Sequence, residues 1–365
     1  MNELDSLNAL KENYLIKIGS TWLSDDIALY LLTPIGTTSV LLNFLCLLAF
    51  LKTNNHSNLT EYFRFYTLTS FIGCLLALLY FTTAARYFDY DNSSWSYWIS
   101  LYRCILSQYI VTIHFYVNSL SCLILFERLS YFKQKLKAIL SKIRPCKLCL
   151  ISFFVCNLIN LPSLFFFSMR TNEELKEAMN DFNLTVKEFT YCKRNPFYQT
   201  IYGQLILFIV VLLRDILMLI MEFSISFVSI KYFKDYLGKK RNLIQTYVSS
   251  TPSTNNLKDY IIDITRANLN KSENFNSNLT KMTIYLIGCS ITLHLTLVIC
   301  YLIVFIFFNQ NSLASNYVSL LCLMMAFVKY ILNFVFFYRF YRFFRQFLKK
   351  IFTKSIHFIF WFYFE

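Results

Sequence analysis

The stretch LYRCILSQYIVTIHFYVNSLSCLILFER, residues 101–128, decides the fold class of this chain. No aspartate, glutamate, lysine or arginine stands between Arg103 and Glu127, and most of the residues there are aliphatic or aromatic. A helix rises about 1.5 Å per residue, so this run is long enough to cross about 30 Å of hydrocarbon. It therefore predicts a membrane-spanning helix that carries charge only at its two ends.

The composition of the whole chain fits the same environment. Of the 365 residues, 56% are hydrophobic and only 15% are charged, which leaves a soluble domain too little polar surface to face water. Only 6 glycines and 5 prolines are present, and the apolar runs are far longer than a transmembrane β-strand. The formal net charge of +14 lies mostly beside the ends of apolar segments, which predicts contact with anionic lipid and no binding of nucleic acid.

Seven segments are long and apolar enough to span a membrane. They are 27–51, 63–85, 101–127, 147–169, 201–231, 282–308 and 314–338. We therefore predict an all-α membrane protein, a seven-transmembrane helix bundle over 27–338. Residues 1–26 form an extracellular N-terminus, 238–281 a long cytoplasmic loop, and 339–365 a short amphipathic eighth helix with a cytoplasmic tail.

Lysine and arginine set the predicted orientation. They crowd the connections after the third and fifth spans and the C-terminal tail, whereas 170–199 is electrically balanced. Basic loops stay in the cytoplasm, so the prediction is a multi-pass plasma-membrane protein with its N-terminus outside. The sequons at Asn92 and Asn183 fall in outer loops and are candidate glycosylation sites.

The third span carries distinctive residues at both ends. Glu127 and Arg128 lie at its cytoplasmic end, and Cys104 lies 24 residues earlier, about 36 Å away on the outer side. The next outer loop contains one other cysteine, Cys192. Both thiols would face an oxidising space, which predicts a Cys104–Cys192 disulfide; two free thiols are the alternative.

With these positions the chain resembles the rhodopsin-like (class A) G-protein-coupled receptors. Glu127-Arg128-Leu129 is similar to the family's Asp/Glu-Arg-Tyr motif, and Asn43 to its first-span asparagine. Residues 333–337, Asn-Phe-Val-Phe-Phe, resemble the Asn-Pro-x-x-Tyr motif. The resemblance implies a receptor in which Glu127, Arg128, Asn333 and Phe337 serve activation and coupling to a heterotrimeric G protein.

The resemblance also implies an extracellular ligand, with a neuropeptide expected first and a chemosensory compound second. The chain departs from the family pattern at several places. The second span has no aspartate, the sixth has neither tryptophan nor proline, and the fifth and seventh have no proline. The family's activation relay is therefore not carried over to this chain.

Polar residues inside the spans are the remaining candidates, because ionisable groups in a membrane are costly and often functional. Arg214, Asp215 and Glu222 are expected to form a structural ion network, with contact to ligand as the alternative. Candidate ligand contacts are Gln108, His114, His294 and Lys329. Residues 104–126 contain no acid, which argues against a monoamine ligand, and Phe327 stands where an opsin would carry its lysine.

Two other functional classes remain open. A multi-pass transporter or ligand-gated channel is the alternative, and the charged residues of the fifth span are its only support. No catalytic triad, histidine box or metal motif is apparent, so we expect neither an enzyme nor a bound metal or cofactor.

Overall fold

The structure, a computed structural model, describes residues 28–53, 57–84, 93–165, 167–171, 190–249, 277–296, 298–299, 313–351 and 353. Its helices are α1 Thr33–Leu51, α2 Asn58–Ala84, α3 Ser93–Phe132, α4 Gln134–Leu140, α5 Pro145–Leu164, α6 Ile201–Val211, α7 Leu217–Ser249, α8 277–296, α9 Leu313–Phe340 and α10 342–351. A π-helical turn, Ala28–Leu32, leads into α1, and a second, Leu212–Ile216, joins α6 to α7.

Five stretches of the described chain are long and apolar enough to cross a membrane. They are Tyr30–Leu51, Asn58–Tyr80, Gln108–Phe132, Pro145–Leu164 and Ile201–Tyr236. They match the first five predicted spans, so the prediction of a helical membrane protein is confirmed at this level. The sixth and seventh spans stay predictions. Helix α8 covers the first part of 282–308, and of the rest only 298–299 is described; α9 covers 314–338.

The distribution of side chains is that of a protein surrounded by lipid. Large apolar residues are turned outward, among them Leu158 at 70% exposure and Phe227 at 65%. Polar residues such as Ser39, Thr67 and Ser121 are fully buried between helices. Hydroxyl and amide groups avoid hydrocarbon by bonding inside a bundle, whereas aliphatic and aromatic groups are stable against lipid tails.

Helix α3 lies at the centre of the described bundle. It packs against α2, α5, α7 and strand β2, and α1 packs against α2 and α9. We call the end where α3 meets α4 and α5 the basic end, since lysines and arginines gather there. The opposite end, where α5 finishes, carries a β-hairpin and is called the hairpin end.

The hairpin is a departure from the all-α prediction. Strands β1, Phe167–Thr171, and β2, Thr190–Arg194, pair antiparallel, with Met169 opposite Cys192. The predicted fourth span, 147–169, therefore ends too late. Helix α5 stops at Leu164, where the Phe165 N–H bonds back to the Pro162 carbonyl at 3.2 Å.

Several helices are also longer than the predicted spans, because hydropathy does not detect polar residues at helix ends. Helix α2 begins at Asn58 rather than at 63, and the Ser57 hydroxyl accepts the Thr60 N–H at 3.3 Å. Helix α3 begins at Ser93, and α7 continues to Ser249, inside the predicted loop 238–281. Residues 1–26 and 250–276 of the predicted N-terminus and loop lie outside the described residues.

Helix α10 has two unlike faces. Phe344 and Leu348 are buried against the bundle, whereas Arg345, Lys349 and Lys350 are exposed. Such a helix suits the boundary between hydrocarbon and charged headgroups. Its location on an inner leaflet stays a prediction.

The start of helix α6 depends on a glycine. Thr200 caps α6 by accepting the Gly203 N–H at 3.2 Å. A Cβ added to Gly203 would lie 2.2 Å from the Phe197 carbonyl oxygen and 2.5 Å from the Tyr198 Cα, both backbone atoms of the 3₁₀ turn Pro196–Gln199. No side-chain rotation relieves such contacts, so the turn or the helix must shift.

We therefore expect Gly203→Ala to lower the free energy of unfolding by about 1–3 kcal/mol, the usual cost of overpacking. Equilibrium unfolding in lipid–detergent micelles measures the change. Gly238→Ala is the matched control, because a Cβ there would meet nothing within 4 Å. Equal losses in the two variants would contradict the steric explanation.

Candidate functional site: two cavities and a polar core

The first cavity lies at the basic end, around Arg128. It has a volume of about 290 Å³ and is formed by α2, α3, the α4 region and α8. Its lining residues are Ser57, Asn58, Leu59, Glu127, Arg128, Ser130, Tyr131, Lys137, Leu140, Ser141 and Leu279. Five of them are polar and uncharged, so the cavity is suited to polar main-chain and side-chain groups of a partner.

Arg128 is deeply buried in the wall of this cavity. Only 6% of the residue is exposed, and its Nε has no hydrogen-bond partner among the described residues. Glu127, the preceding residue, has the Asn58 side chain as a hydrogen-bonding partner. An unsatisfied guanidinium nitrogen is costly and normally has a reason. Arg128 therefore has a donor group that the described residues do not use.

Tyr341, between α9 and α10, lies close to Arg128 at the basic end. It is 3% exposed, and its hydroxyl has the Thr60 side chain as a hydrogen-bonding partner. Burial raises the pKa of Tyr341 above its usual range, so the phenol stays protonated at neutral pH. The neighbouring Arg64 guanidinium donates to the Phe50 and Thr53 carbonyls at 3.0 and 2.7 Å and thereby ends α1.

Phe337 and Asn333 lie on α9, one and two turns before Tyr341. The Phe337 ring is fully buried, with centroids 5.0 Å from that of Phe50, 5.4 Å from Phe63 and 6.3 Å from Phe344. Asn333 Oδ1 accepts a hydrogen bond from the Tyr66 hydroxyl at 3.1 Å. The predicted pair thus packs α9 against α1, α2 and α10.

Asn43 connects three helices within the polar core. Its Nδ2 donates to the Ser39 carbonyl at 2.8 Å on α1 and to the Tyr330 carbonyl at 3.2 Å on α9. The Ser39 hydroxyl contacts the Cys74 sulfur of α2 at 3.1 Å. The asparagine amide thus takes part in cross-helix bonding of the kind that replaces the hydrophobic effect in lipid.

The ionisable residues of the bundle form a second polar group. His294 Nδ1 lies 3.5 Å from Glu222 Oε2, and the Ser290 hydroxyl lies 3.5 Å from Glu222 Oε1. The Lys329 ammonium donates to Asn118 Oδ1 on α3, and it interacts electrostatically with the Glu222 carboxylate. Glu222, Lys329 and His294 are at most 5% exposed. Helices α3, α7, α8 and α9 therefore meet at one buried set of ionisable and polar groups.

The second cavity, of about 160 Å³, lies nearer the hairpin end. It is lined by Gly73, Ala77, Ile110, Val111, His114, Phe115, Asn118, Arg214, Asp215, Ala326, Phe327 and Tyr330. His114 Nδ1 lies 3.4 Å from the Tyr330 hydroxyl. Of the predicted ligand contacts, His114 lines this cavity, while Gln108, His294 and Lys329 are not among its described lining residues.

Arg214 and Asp215 form a bidentate ion pair in this wall, with Nε to Oδ1 at 2.8 Å and Nη2 to Oδ2 at 2.6 Å. They stand in the π-helical turn Leu212–Ile216, and Glu222 is not part of their pair. The predicted network of three charges is therefore two separate groups. Single π-helical turns are frequent at functional sites, because the wider turn re-aims side chains.

The structure does not describe the side chains of the predicted disulfide or the predicted glycosylation sites. The side chains of Cys104 and Cys192 lie outside the described part of the structure, although strand β2, which carries Cys192, packs on α3. The disulfide stays a prediction. Asn92 and Asn183 also lie outside the described residues.

Three residues of this site were not singled out from the sequence. Tyr66, Tyr330 and Ser290 take part in its contacts. The chain contains 26 tyrosines, and nothing local distinguishes these two from the others. Ser290 stands four residues before His294, so it shares a helix face with it, which was the one signal present.

Comparisons with known proteins leave the assignment to the geometry. No protein-family model matches the chain, and the search of curated proteins gives no match.

Proposed function

We propose that this chain is a divergent rhodopsin-like G-protein-coupled receptor that binds an extracellular ligand and activates a heterotrimeric G protein. The observation that carries the proposal is the buried Arg128, whose Nε is unpaired in the wall of a 290 Å³ cavity at the basic end. A guanidinium in that position can donate hydrogen bonds to a carbonyl or carboxylate of an inserted segment. The proposal takes the basic end as cytoplasmic.

A receptor also needs a ligand site and a connection between the two sites. The 160 Å³ cavity supplies the first, through His114, Tyr330 and the Arg214–Asp215 pair. Tyr330 then contributes its carbonyl to Asn43, while Asn333, on the same helix, accepts from Tyr66. A shift of α9 at the ligand cavity would therefore alter the contacts of α1 and α2 near the basic end.

In the proposed mechanism the ligand selects between two packings of the bundle. In the resting packing, Phe337 is fixed by the rings of Phe50 and Phe63, and Arg128 stays buried. In the active packing, movement of α8 and α9 widens the basic-end cavity and frees Arg128 for the G protein. Ligand shifts this equilibrium only by binding the active packing more tightly.

The remaining parts of the proposal concern location. We infer seven crossings of the plasma membrane, an extracellular N-terminus and a cytoplasmic eighth helix, α10, lying on lipid. A Cys104–Cys192 disulfide would tie the hairpin to α3. A neuropeptide or a chemosensory compound is the ligand.

Nucleotide exchange tests the proposal. Membranes containing the chain are mixed with purified heterotrimers of the different Gα classes, and GTPγS uptake is measured with and without peptide and odorant libraries. We expect Arg128→Ala to reduce exchange at least about tenfold, because the guanidinium contacts the transducer directly. Arg345→Ala, which removes the same charge from an exposed position on α10, is the control.

Surface expression of both variants is measured in parallel, so that loss of protein is not mistaken for loss of coupling. Exchange that is unchanged by Arg128→Ala would count against a receptor.

A transporter or ligand-gated channel is the second candidate, and one observation favours it. Glu222, His294 and Lys329 are buried ionisable groups contributed by three helices, as in proton-coupled carriers. Proton uptake or ligand-evoked current in cells lacking G proteins, lost in Glu222→Gln, would support this class instead.

A further inference from the structure

The size of the 160 Å³ cavity limits what it can hold. A cavity of about 150 Å³ inside a protein takes up one benzene molecule, whereas drug-sized ligands need about 300–1,000 Å³. Gly73 in the wall is closely packed, because a Cβ there would lie 3.1 Å from Ile113 Cγ2 and 3.3 Å from the Tyr330 hydroxyl. The cavity therefore matches a molecule with a single ring.

The walls of the cavity carry no net charge. Arg214 and Asp215 neutralise each other through two hydrogen bonds of 2.8 and 2.6 Å. Asn118, which also lines the cavity, is bound by the Lys329 ammonium through its Oδ1. A charged ligand would have to leave water and break this ion pair to find a counter-charge, which is costly in a low-dielectric site. An uncharged ligand avoids both costs.

One imidazole nitrogen of a lining residue has no hydrogen-bond partner among the described residues. His114 Nδ1 faces the Tyr330 hydroxyl, and its Nε2 is buried with no hydrogen-bond partner in the described part of the chain. The rest of the nearby lining is aromatic or aliphatic, with Phe115 and Phe327 on opposite helices. A ring bearing one hydroxyl would satisfy the imidazole and fill the apolar remainder.

We propose that this cavity binds an uncharged, single-ring aromatic molecule that carries one hydrogen-bonding group. The inference rests on the proposed function only for its consequence, which is that the ligand is a small chemosensory compound rather than a peptide. The binding itself requires no G protein.

Three single-ring probes of nearly equal size and different charge test the proposal: 4-methylphenol is neutral, benzylamine is cationic and benzoate is anionic at neutral pH. Binding to the purified full chain in lipid nanodiscs is measured by calorimetry. We expect 4-methylphenol to bind with a dissociation constant of about 1 mM or below, and the charged probes at least about tenfold more weakly. Equal or tighter binding of a charged probe, or no binding of 4-methylphenol, would overturn it.

Two variants locate the binding. Ala326→Phe fills the cavity and should abolish binding of 4-methylphenol; Val335→Phe, on the same helix at a position 47% exposed, is the control. His114→Phe keeps the ring and removes the nitrogens, so 4-methylphenol should bind no better than toluene, whose own affinity stays unchanged. Binding that persists in Ala326→Phe, or a hydroxyl preference that survives His114→Phe, would refute the assignment.

These outcomes are separate from those of the receptor assay. Loss of coupling in Arg128→Ala does not depend on which molecule enters the cavity. Failure of 4-methylphenol to bind would leave the receptor proposal standing, and absence of nucleotide exchange would leave the binding result standing.

Discussion

Lys329→Met should lower the free energy of unfolding by about 3–5 kcal/mol, because it leaves the Glu222 carboxylate buried without its counter-charge. Glu222 is fully buried, Lys329 is 3% exposed, and the Glu222 carboxylate stabilises the Lys329 ammonium electrostatically inside the bundle. The substitution also leaves Asn118 Oδ1 without its donor. Unfolding of the purified chain in lipid–detergent micelles measures the loss.

A double variant separates the charge effect from the loss of packing. Glu222→Gln combined with Lys329→Met removes both charges, so most of the lost stability should return. Lys349→Met, at an exposed position on α10, removes a lysine without uncovering a buried acid and should change stability by less than about 0.5 kcal/mol. A double variant no more stable than Lys329→Met alone would argue against electrostatic coupling.

Phe337→Ala should cost about 2–3 kcal/mol, somewhat less than the same change in a soluble core. Lipid is as apolar as the bundle interior, so the transfer term nearly vanishes and the loss comes from the cavity that remains. That cavity would lie between the rings of Phe50, Phe63 and Phe344, which Phe337 now holds together. Thermal unfolding in nanodiscs reports the shift.

The control for this change is Val335→Ala, two residues earlier on α9 and 47% exposed. It should leave the unfolding temperature nearly unchanged, because its side chain faces outward. If Phe337→Ala were equally mild, the aromatic cluster would not fix α9 against α1 and α2. If the receptor proposal holds, Phe337→Ala should also raise ligand-independent nucleotide exchange by loosening the resting packing.

Hydropathy was sufficient for the general architecture. Long uncharged runs such as 104–126 predicted membrane helices, and five helical stretches of the described structure are long and apolar enough to cross a membrane. Hydropathy missed the ends, where Ser57 caps α2 and where polar residues carry α7 to Ser249. It also missed the hairpin, because the five-residue strands Phe167–Thr171 and Thr190–Arg194 are stabilised by pairing across a long separation in sequence.

The site was harder to predict because its contacts are long-range. Residue type and depth in the membrane indicated Glu222, His294 and Lys329 as separate candidate residues. Their contacts with one another could not be predicted, because no sequence periodicity relates positions on different helices. Arg214 and Asp215 would point about 100° apart on an ideal helix, and they form a bidentate pair in a π-helical turn. Sequence patterns that assume 3.6 residues per turn cannot locate such a turn.

The π-helical turn Leu212–Ile216 has a consequence for every residue that follows it in the fifth helix. Such a turn takes in one extra residue, so the helix beyond it is rotated by about 100° from the direction that an uninterrupted wheel would give. Glu222 meets His294 in the orientation that follows this turn. Deleting one residue within Leu212–Ile216 should restore an uninterrupted α-helix of nearly the same length and rotate the Glu222 carboxylate about 100° away from His294.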